Sequence, residues 1–274
     1  MDKASKLSLQ VQYIIGYITI IIIAPLYFFI TLLLFYRVRR VREIRHKCAV
    51  ELSRHKGPWI ICANHLTMVD SFLLTYALFS FGSFLKNYEL LPWNLPERSN
   101  FQKNILLSIL CYLSKCIPVD RCGPREKTKK MLEKCIYLLQ SGQNIMVFPE
   151  GGRSRTGRVD KEGFSYGVGR FVQDVESCKI MCVYMRGDRQ VTYGFIPAWG
   201  EKFYAEVEVF TPPRVPGGGL RAQREYAAQI IDHLAQMEEN YFVLHRQRHR
   251  GLTAPGKCEE KQRFSVSKEN PHRC

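Results

Sequence analysis

Between Tyr13 and Tyr36 the chain carries no charged residue and is dense in Ile, Leu and Phe. A helix that crosses a bilayer core needs about 20 apolar residues, so this run predicts an N-terminal membrane helix. Gly16 and Pro25 interrupt it, and Pro25 lacks the amide that would continue a helix. A bent two-helix membrane motif lying partly in one leaflet fits the same pattern. The run is too long for a signal-peptide core, and no small-residue cleavage site follows it.

Beyond residue 47, short apolar runs alternate with stripes at helical spacing. Trp59 to Ala63 is a continuous apolar run that reads as a buried strand. From about Val69 to Phe81 the pattern turns helical, with Phe72, Leu73, Tyr76, Ala77 and Leu78 able to share one face. Asn94 to Ser99 is a polar, proline-bearing loop, and Phe101 to Lys115 is apolar enough for a buried or membrane-facing helix. Cys116 to Asp120 predicts a short strand. Pro124 sits well as a first helical residue, and Met131, Leu132, Cys135, Ile136 and Leu139 form a helical stripe that Gly142 is placed to end. Further strands are expected at 144–148, 180–184, 191–196 and 204–210. Thr211-Pro212-Pro213 and Gly217-Gly218-Gly219 break the pattern before a final amphipathic helix from Leu220 to about Leu244. Strand–helix alternation predicts an α/β fold with a mostly parallel sheet flanked by helices. The expected organisation is a membrane anchor with a basic juxtamembrane segment (1–47), a globular domain (48–245) and a basic, disordered tail (246–274).

Charge narrows the partners. The 274 residues hold 40 Lys and Arg against 25 Asp and Glu, a formal charge of +15. Such a balance favours polyanions: nucleic acid, an anionic membrane surface or phosphorylated small molecules. The apolar N-terminus decides for the membrane over nucleic acid. The cluster from Arg37 to Lys47 follows it directly, whereas only Asp2, Lys3 and Lys6 precede it. The positive-inside tendency therefore places the globular part on the cytoplasmic face, with the cluster on anionic headgroups at about 1 kcal/mol per basic residue. A bacterial inner membrane is favoured, and an endoplasmic reticulum membrane stays open. The ten cysteines show no Cys-x2-Cys spacing, so they read as reduced, mostly core thiols and not as a zinc site.

Candidate chemistry begins at Asn64-His65-Leu66-Thr67-Met68-Val69-Asp70. His65 falls at a strand-to-helix turn, with Asp70 one turn into the helix. A carboxylate there can fix one imidazole nitrogen and leave the other to take a proton. Cys62, inside an apolar strand, reads as an inert core thiol. Phe148-Pro149-Glu150-Gly151-Gly152-Arg153-Ser154-Arg155-Thr156-Gly157-Arg158 follows a second strand, where ligands collect in parallel sheets. Its glycines admit close backbone approach, and its arginines offer forked donors to phosphate. Glu150 beside them suggests an ion pair or a hydroxyl contact. Arg121, just past a strand end, is a further candidate for the same cleft.

In that order, Asn64-His65-x4-Asp70, Ile117-Pro118-Val119-Asp120-Arg121 and Phe148 to Ser154 resemble the glycerolipid acyltransferase family, which includes 1-acylglycerol-3-phosphate acyltransferases. The resemblance covers roughly residues 55–200. It implies that His65 is the general base and Asp70 its partner. Arg121, Glu150, Gly151, Gly152, Arg153 and Ser154 would then form the acceptor-phosphate site. The donor it implies is an acyl thioester on coenzyme A or acyl carrier protein, with no cofactor or metal. The implied acceptor is lysophosphatidate, acylated at its free hydroxyl to give phosphatidate. Two departures bear on that acceptor. Gly152 stands where lysophosphatidate enzymes commonly carry Thr, and the run from Glu150 to Gly157 looks more like the glycerol-3-phosphate acyltransferase version. Residues 181–184 replace the usual Pro-containing strand and receive no site role. Glycerol 3-phosphate or another lysolipid is thus the alternative acceptor. A membrane-tethered binder of anionic lipid without catalysis is the alternative of a different kind.

Overall fold

The structure, a computed structural model, describes residues 1–55, 57–102, 104–120 and 123–249. In chain order the elements are α1 (Lys3–Leu33), β1 (Arg37–Val38), α2 (Val41–Arg54), β2 (Trp59–Ala63), α3 (Asp70–Leu78), α4 (Phe81–Lys86), β3 (Trp93–Asn94), α5 (Ile105–Leu113), α6 (Arg125–Gln140), β4 (Ile145–Val147), α7 (Gly167–Asp174), β5 (Lys179–Gly187), β6 (Lys202–Phe210) and α8 (Gly219–His249). Contacts divide the chain into a unit of residues 1–235 and a second from Gln236 onward, of which the last part of α8 is described. The expected tail lies outside the described residues from Arg250.

The fold is α/β. One six-stranded sheet runs in the order β1-β6-β5-β2-β4-β3, parallel everywhere except between β5 and β6. β2 is buried along its whole length and β5 along all but its first residue, which explains their unbroken apolar runs. Trp59, Ile61 and Ala63 face a core completed by Ile20, Cys48, Leu74 and Phe84, from α1, α2, α3 and α4. By strand alternation Ile60 and Cys62 point to the opposite face. The pairing of Cys62 with Val147 sets the carboxyl ends of β2 and β4 side by side. Everything that follows depends on that adjacency.

α1 is a single helix that continues through Pro25. It is long and apolar enough to cross a membrane, yet one face is committed to the domain. Leu9, Gln12, Gly16, Ile20, Ile23, Ala24 and Thr31 are buried, and Leu7, Val11, Ile14, Ile18, Ile21 and Leu32 are exposed on the other side. Gly16 allows the close approach: a Cβ there would meet the Tyr88 hydroxyl oxygen at 2.1 Å. Gln12 Nε2 donates to the carbonyls of Tyr112 (2.9 Å) and Cys116 (3.0 Å), tying α1 to the end of α5. α5 fully buries none of its residues: Ile105, Leu106, Leu107 and Ile109 face outward, while Leu110 and Leu113 pack against the core.

Several expectations need correction. Residues 191–196 form no strand. After Gly187 the chain leaves the sheet, returns at Lys202, and leaves Val191, Tyr193, Phe195 and Ile196 exposed. Their alternation has no half-buried surface behind it. Cys116–Asp120 is an extended segment with isolated bridges to Asn94 and Glu97, not a strand. Its neighbour β3 is only two residues long and offers no longer ladder. The helix after His65 stops at Leu78 and restarts at Phe81, and Pro124 caps α6 from the position before its first residue. β1, α2, α4, β3 and α7 have no counterpart among the expected elements.

Lys115 carries a stability prediction. It sits at φ +54° and is 2% exposed. Its Nζ donates to the carbonyls of Leu91 (2.8 Å) and Tyr88 (3.0 Å) and to Gln143 Oε1 (3.2 Å). Burial pushes the ammonium down to about 7. The unfolded chain keeps that proton to about pH 10.4. Above pH 7 the unfolded state therefore binds more protons than the folded one, and stability rises with pH until the unfolded lysine also titrates. Denaturant unfolding should show a gain of about 1 kcal/mol per pH unit just above neutrality, flattened in Lys115→Met. A flat wild-type profile would mean that the three acceptors keep the ammonium charged.

Candidate active site

His65 lies in the turn that β2 feeds into α3, and Asp70 is the first residue of α3, not one turn inside it. The side chains meet at 3.0 Å, His65 Nδ1 to Asp70 Oδ2. A carboxylate only accepts, so Nδ1 holds the proton and Nε2 is the basic nitrogen. Asp70 is buried, and its carboxylate is also a hub for the turn. Oδ2 accepts from the amides of Leu66 (2.6 Å) and Thr67 (2.7 Å), and Oδ1 accepts from the Thr67 hydroxyl. The imidazole stacks on Phe148 with ring centroids 4.1 Å apart and planes 17° from parallel. One ring edge is thereby fixed by charge and one face by packing.

The glycine turn after β4 closes against the same backbone. Glu150, buried, accepts the His65 amide at Oε1 (2.8 Å) and the Asp160 amide at Oε2 (3.2 Å). It acts on the main chain of the base, a use that the sequence did not suggest. Ser154 donates its amide to the His65 carbonyl (2.9 Å), and its hydroxyl donates to the Arg158 carbonyl. His65 is thus gripped at both backbone groups by residues from the other loop. Gly151 takes φ +66°, where an L side chain would be strained, and a Cβ would also press on Ser165. Gly152 lies in the same turn. Among the described residues no partner takes the amides of Gly152 or Arg153.

Arg153 Nη1 donates to the Gly194 carbonyl (2.9 Å), and its guanidinium lies over the Tyr193 ring. The segment after β5 therefore borders the site. Gly194 donates to the Leu66 carbonyl (2.9 Å), and Met68 donates to the Phe195 carbonyl (3.1 Å). Arg186 at the end of β5, buried, binds the carbonyls of Gln190, Val191 and Gly157, joining this segment to the arginine-bearing turn. So His65, Asp70, Glu150, Gly151, Gly152, Arg153 and Ser154 come together, and Arg121 lies outside the described residues.

Thr67, Phe148 and Arg186 received no role from the sequence. A threonine three residues before an acid is a common turn device, and Phe148 sat inside a motif already noted. Nothing local marks Arg186. Asn64 exchanges two bonds with the Met185 backbone (2.8 and 3.0 Å), fixing the start of the turn to β5. Cys62 offers no nucleophile: burial, then Cys182 and Cys178 nearby, hold its thiol well above the ordinary range. Among the described residues no three His, Cys, Asp or Glu side chains gather where a metal ion could sit.

Asp120 pairs with Arg98 Nε at 2.9 Å and Lys127 Nζ at 3.6 Å. Compared with known families, residues 38–186 match the acyltransferase family model, a span from the second residue of β1 nearly to the end of β5. No curated protein matches the chain.

Proposed function

Since the chain belongs to the acyltransferase family, we propose that it moves a fatty acyl chain from a thioester, on coenzyme A or acyl carrier protein, to the free hydroxyl of 1-acylglycerol 3-phosphate. The observation that carries this reading is the Nδ1–Oδ2 contact between His65 and Asp70 beside a turn rich in glycine and arginine. In the proposed reaction Nε2 of His65 takes the hydroxyl proton as the alcohol oxygen attacks the thioester carbonyl. Asp70 stabilises the imidazolium. The tetrahedral intermediate collapses, the C–S bond breaks, and the imidazolium returns its proton to the leaving thiolate. The ester and the free thiol are the products, and no acyl-enzyme is formed.

The oxyanion requires donors, and the amides next to the base are already in use: His65 by Glu150, Leu66 and Thr67 by Asp70. The amides of Gly152 and Arg153 take that role in our reading. Arg153, with Arg121 on the strength of the motif resemblance, holds the acceptor phosphate. α1 holds the protein to the membrane through its exposed apolar face. The basic residues after it lie on the cytoplasmic headgroups.

Purified protein given a labelled acyl thioester, with lysophosphatidate, glycerol 3-phosphate and a lysolipid without a free phosphate monoester as acceptors, tests the proposal. The expected result is turnover on lysophosphatidate at least about tenfold above the lysolipid without a phosphate monoester, since a phosphate fork is worth roughly 1.5–3 kcal/mol, and above glycerol 3-phosphate, which lacks the acyl chain. Preference for glycerol 3-phosphate would overturn the acceptor and keep the chemistry. Gly152 in its Glu-Gly-Gly-Arg setting favours that second reading.

A further inference from the structure

The segment from Val191 to Trp199 borders the candidate active site, yet Val191, Tyr193, Phe195, Ile196 and Trp199 are all exposed. A contiguous apolar patch on a soluble surface marks a contact. Three observations say with what. The Trp199 ring lies 5.7 Å from that of Phe35, which follows the exposed Leu32 and Leu33 at the end of α1. Backbone and side-chain bonds fasten the two segments: Gly200 donates to the Leu34 carbonyl (3.0 Å), and the Tyr36 hydroxyl donates to the Pro197 carbonyl (2.9 Å). The apolar end of α1 therefore meets this segment at Phe35 and Trp199. Second, exposed cations flank it. Arg37 follows Phe35 and Tyr36, the carbonyl of Arg155 accepts from Thr192, and Arg189, paired with the buried Glu201 (3.5 Å), donates to the Trp199 carbonyl (2.6 Å). Third, two of its three aromatic residues are Tyr193 and Trp199, types that settle at the level of lipid headgroups.

We propose that residues 191–199 form an interfacial loop that sits in the headgroup layer of an anionic phospholipid leaflet. It seats the mouth of the site on the membrane from which a lipid acceptor enters. Tyr193 and Trp199 lie at headgroup depth, Phe195 and Ile196 reach the acyl boundary, and Arg37 and Arg155 meet lipid phosphates. The link to the site is direct, because the Gly194 carbonyl holds Arg153 and the Phe195 carbonyl holds the Met68 amide. The proposal rests on the membrane anchoring proposed for α1, and its test is independent of turnover.

The chain carries its own probe. Of its three tryptophans, Trp59 and Trp93 are 1% and 0% exposed and Trp199 is 61% exposed. With the full-length protein in vesicles of phosphatidylglycerol and phosphatidylcholine, brominated acyl chains should quench the Trp199 emission. Aqueous acrylamide should not. Quenching by acrylamide alone would overturn the proposal, whether or not the protein turns over any acceptor. Ile196→Glu leaves the probe in place and should weaken the lipid quenching. It should also slow turnover of lysophosphatidate in vesicles about tenfold, the scale of withdrawing one buried isoleucine. Turnover of a short-chain lysophosphatidate dissolved as monomers should be unchanged. Equal losses on both acceptors would mean that the loop acts through the geometry of the site, and the membrane role would fall. If the wild type acylates neither acceptor, the acceptor reading fails while lipid quenching still decides the loop.

Discussion

Replacing His65 with Ala lowers kcat by a hundred- to ten-thousand-fold, roughly the range for losing a positioned general base. The expectation is sharp because the backbone at residue 65 is held independently of the ring. Its amide goes to Glu150 and its carbonyl receives Ser154. Asp70 keeps the Leu66 and Thr67 amides when the imidazole is gone. The variant should therefore melt close to wild type and keep its KM for donor and acceptor, with the loss confined to kcat. Steady-state kinetics beside a thermal melt is the measurement. A variant that retains more than a tenth of wild-type kcat would assign the proton transfer to another group.

Asp70 has the second large effect, and the geometry divides it into two parts. Asp70→Asn can keep an oxygen where Oδ2 serves Nδ1 and the Leu66 and Thr67 amides, but it removes the negative charge that stabilises the imidazolium. A loss in kcat on the order of 10⁴ follows from the same logic in other His–Asp pairs. Asp70→Ala removes the acceptor altogether. The Leu66 and Thr67 amides and the Thr67 hydroxyl then stay buried without a partner, at about 1–3 kcal/mol each. Asp70→Ala should thus be clearly less stable than Asp70→Asn in denaturant unfolding, although both are nearly inactive. Equal stability of the two variants would show that Asp70 serves His65 alone.

What the sequence makes legible differs from residue to residue. The run Trp59–Ala63 is legible because a strand buried on both faces needs no polar position, and five apolar residues say so directly. His65 and Asp70 are legible as a pair because only five positions separate them and a turn brings such neighbours together. Glu150 is different. Its partner, the His65 amide, is 85 positions away, and an acid beside arginines suggested an ion pair. Only the parallel pairing of β2 with β4 delivers it to the main chain of the base.

Periodicity misleads at 191–196 and is silent at β1 and β3. Alternation at 191–196 predicts a strand because alternation usually means one buried face. Here the segment borders the candidate site and its apolar side chains face outward. The two-residue strands β1 and β3 are too short to show any period, and they exist because a sheet edge was available to pair with. α1 shows the same limit: it is apolar on all sides, so the pattern cannot say which face meets protein.

What the sequence determined by itself is what depends on neighbours along the chain. That includes the apolar N-terminal helix, the strand–helix alternation, the two candidate loops, and the pairing of His65 with Asp70. The tertiary structure decided what depends on residues far apart in the chain. It set the two loops side by side, turned Glu150 onto the backbone of His65, and laid one face of α1 on the domain. It also carried an apolar segment to the edge of the site. Hydrophobic periodicity records whether a position is buried, and the partner that buries it is chosen only when the sheet assembles.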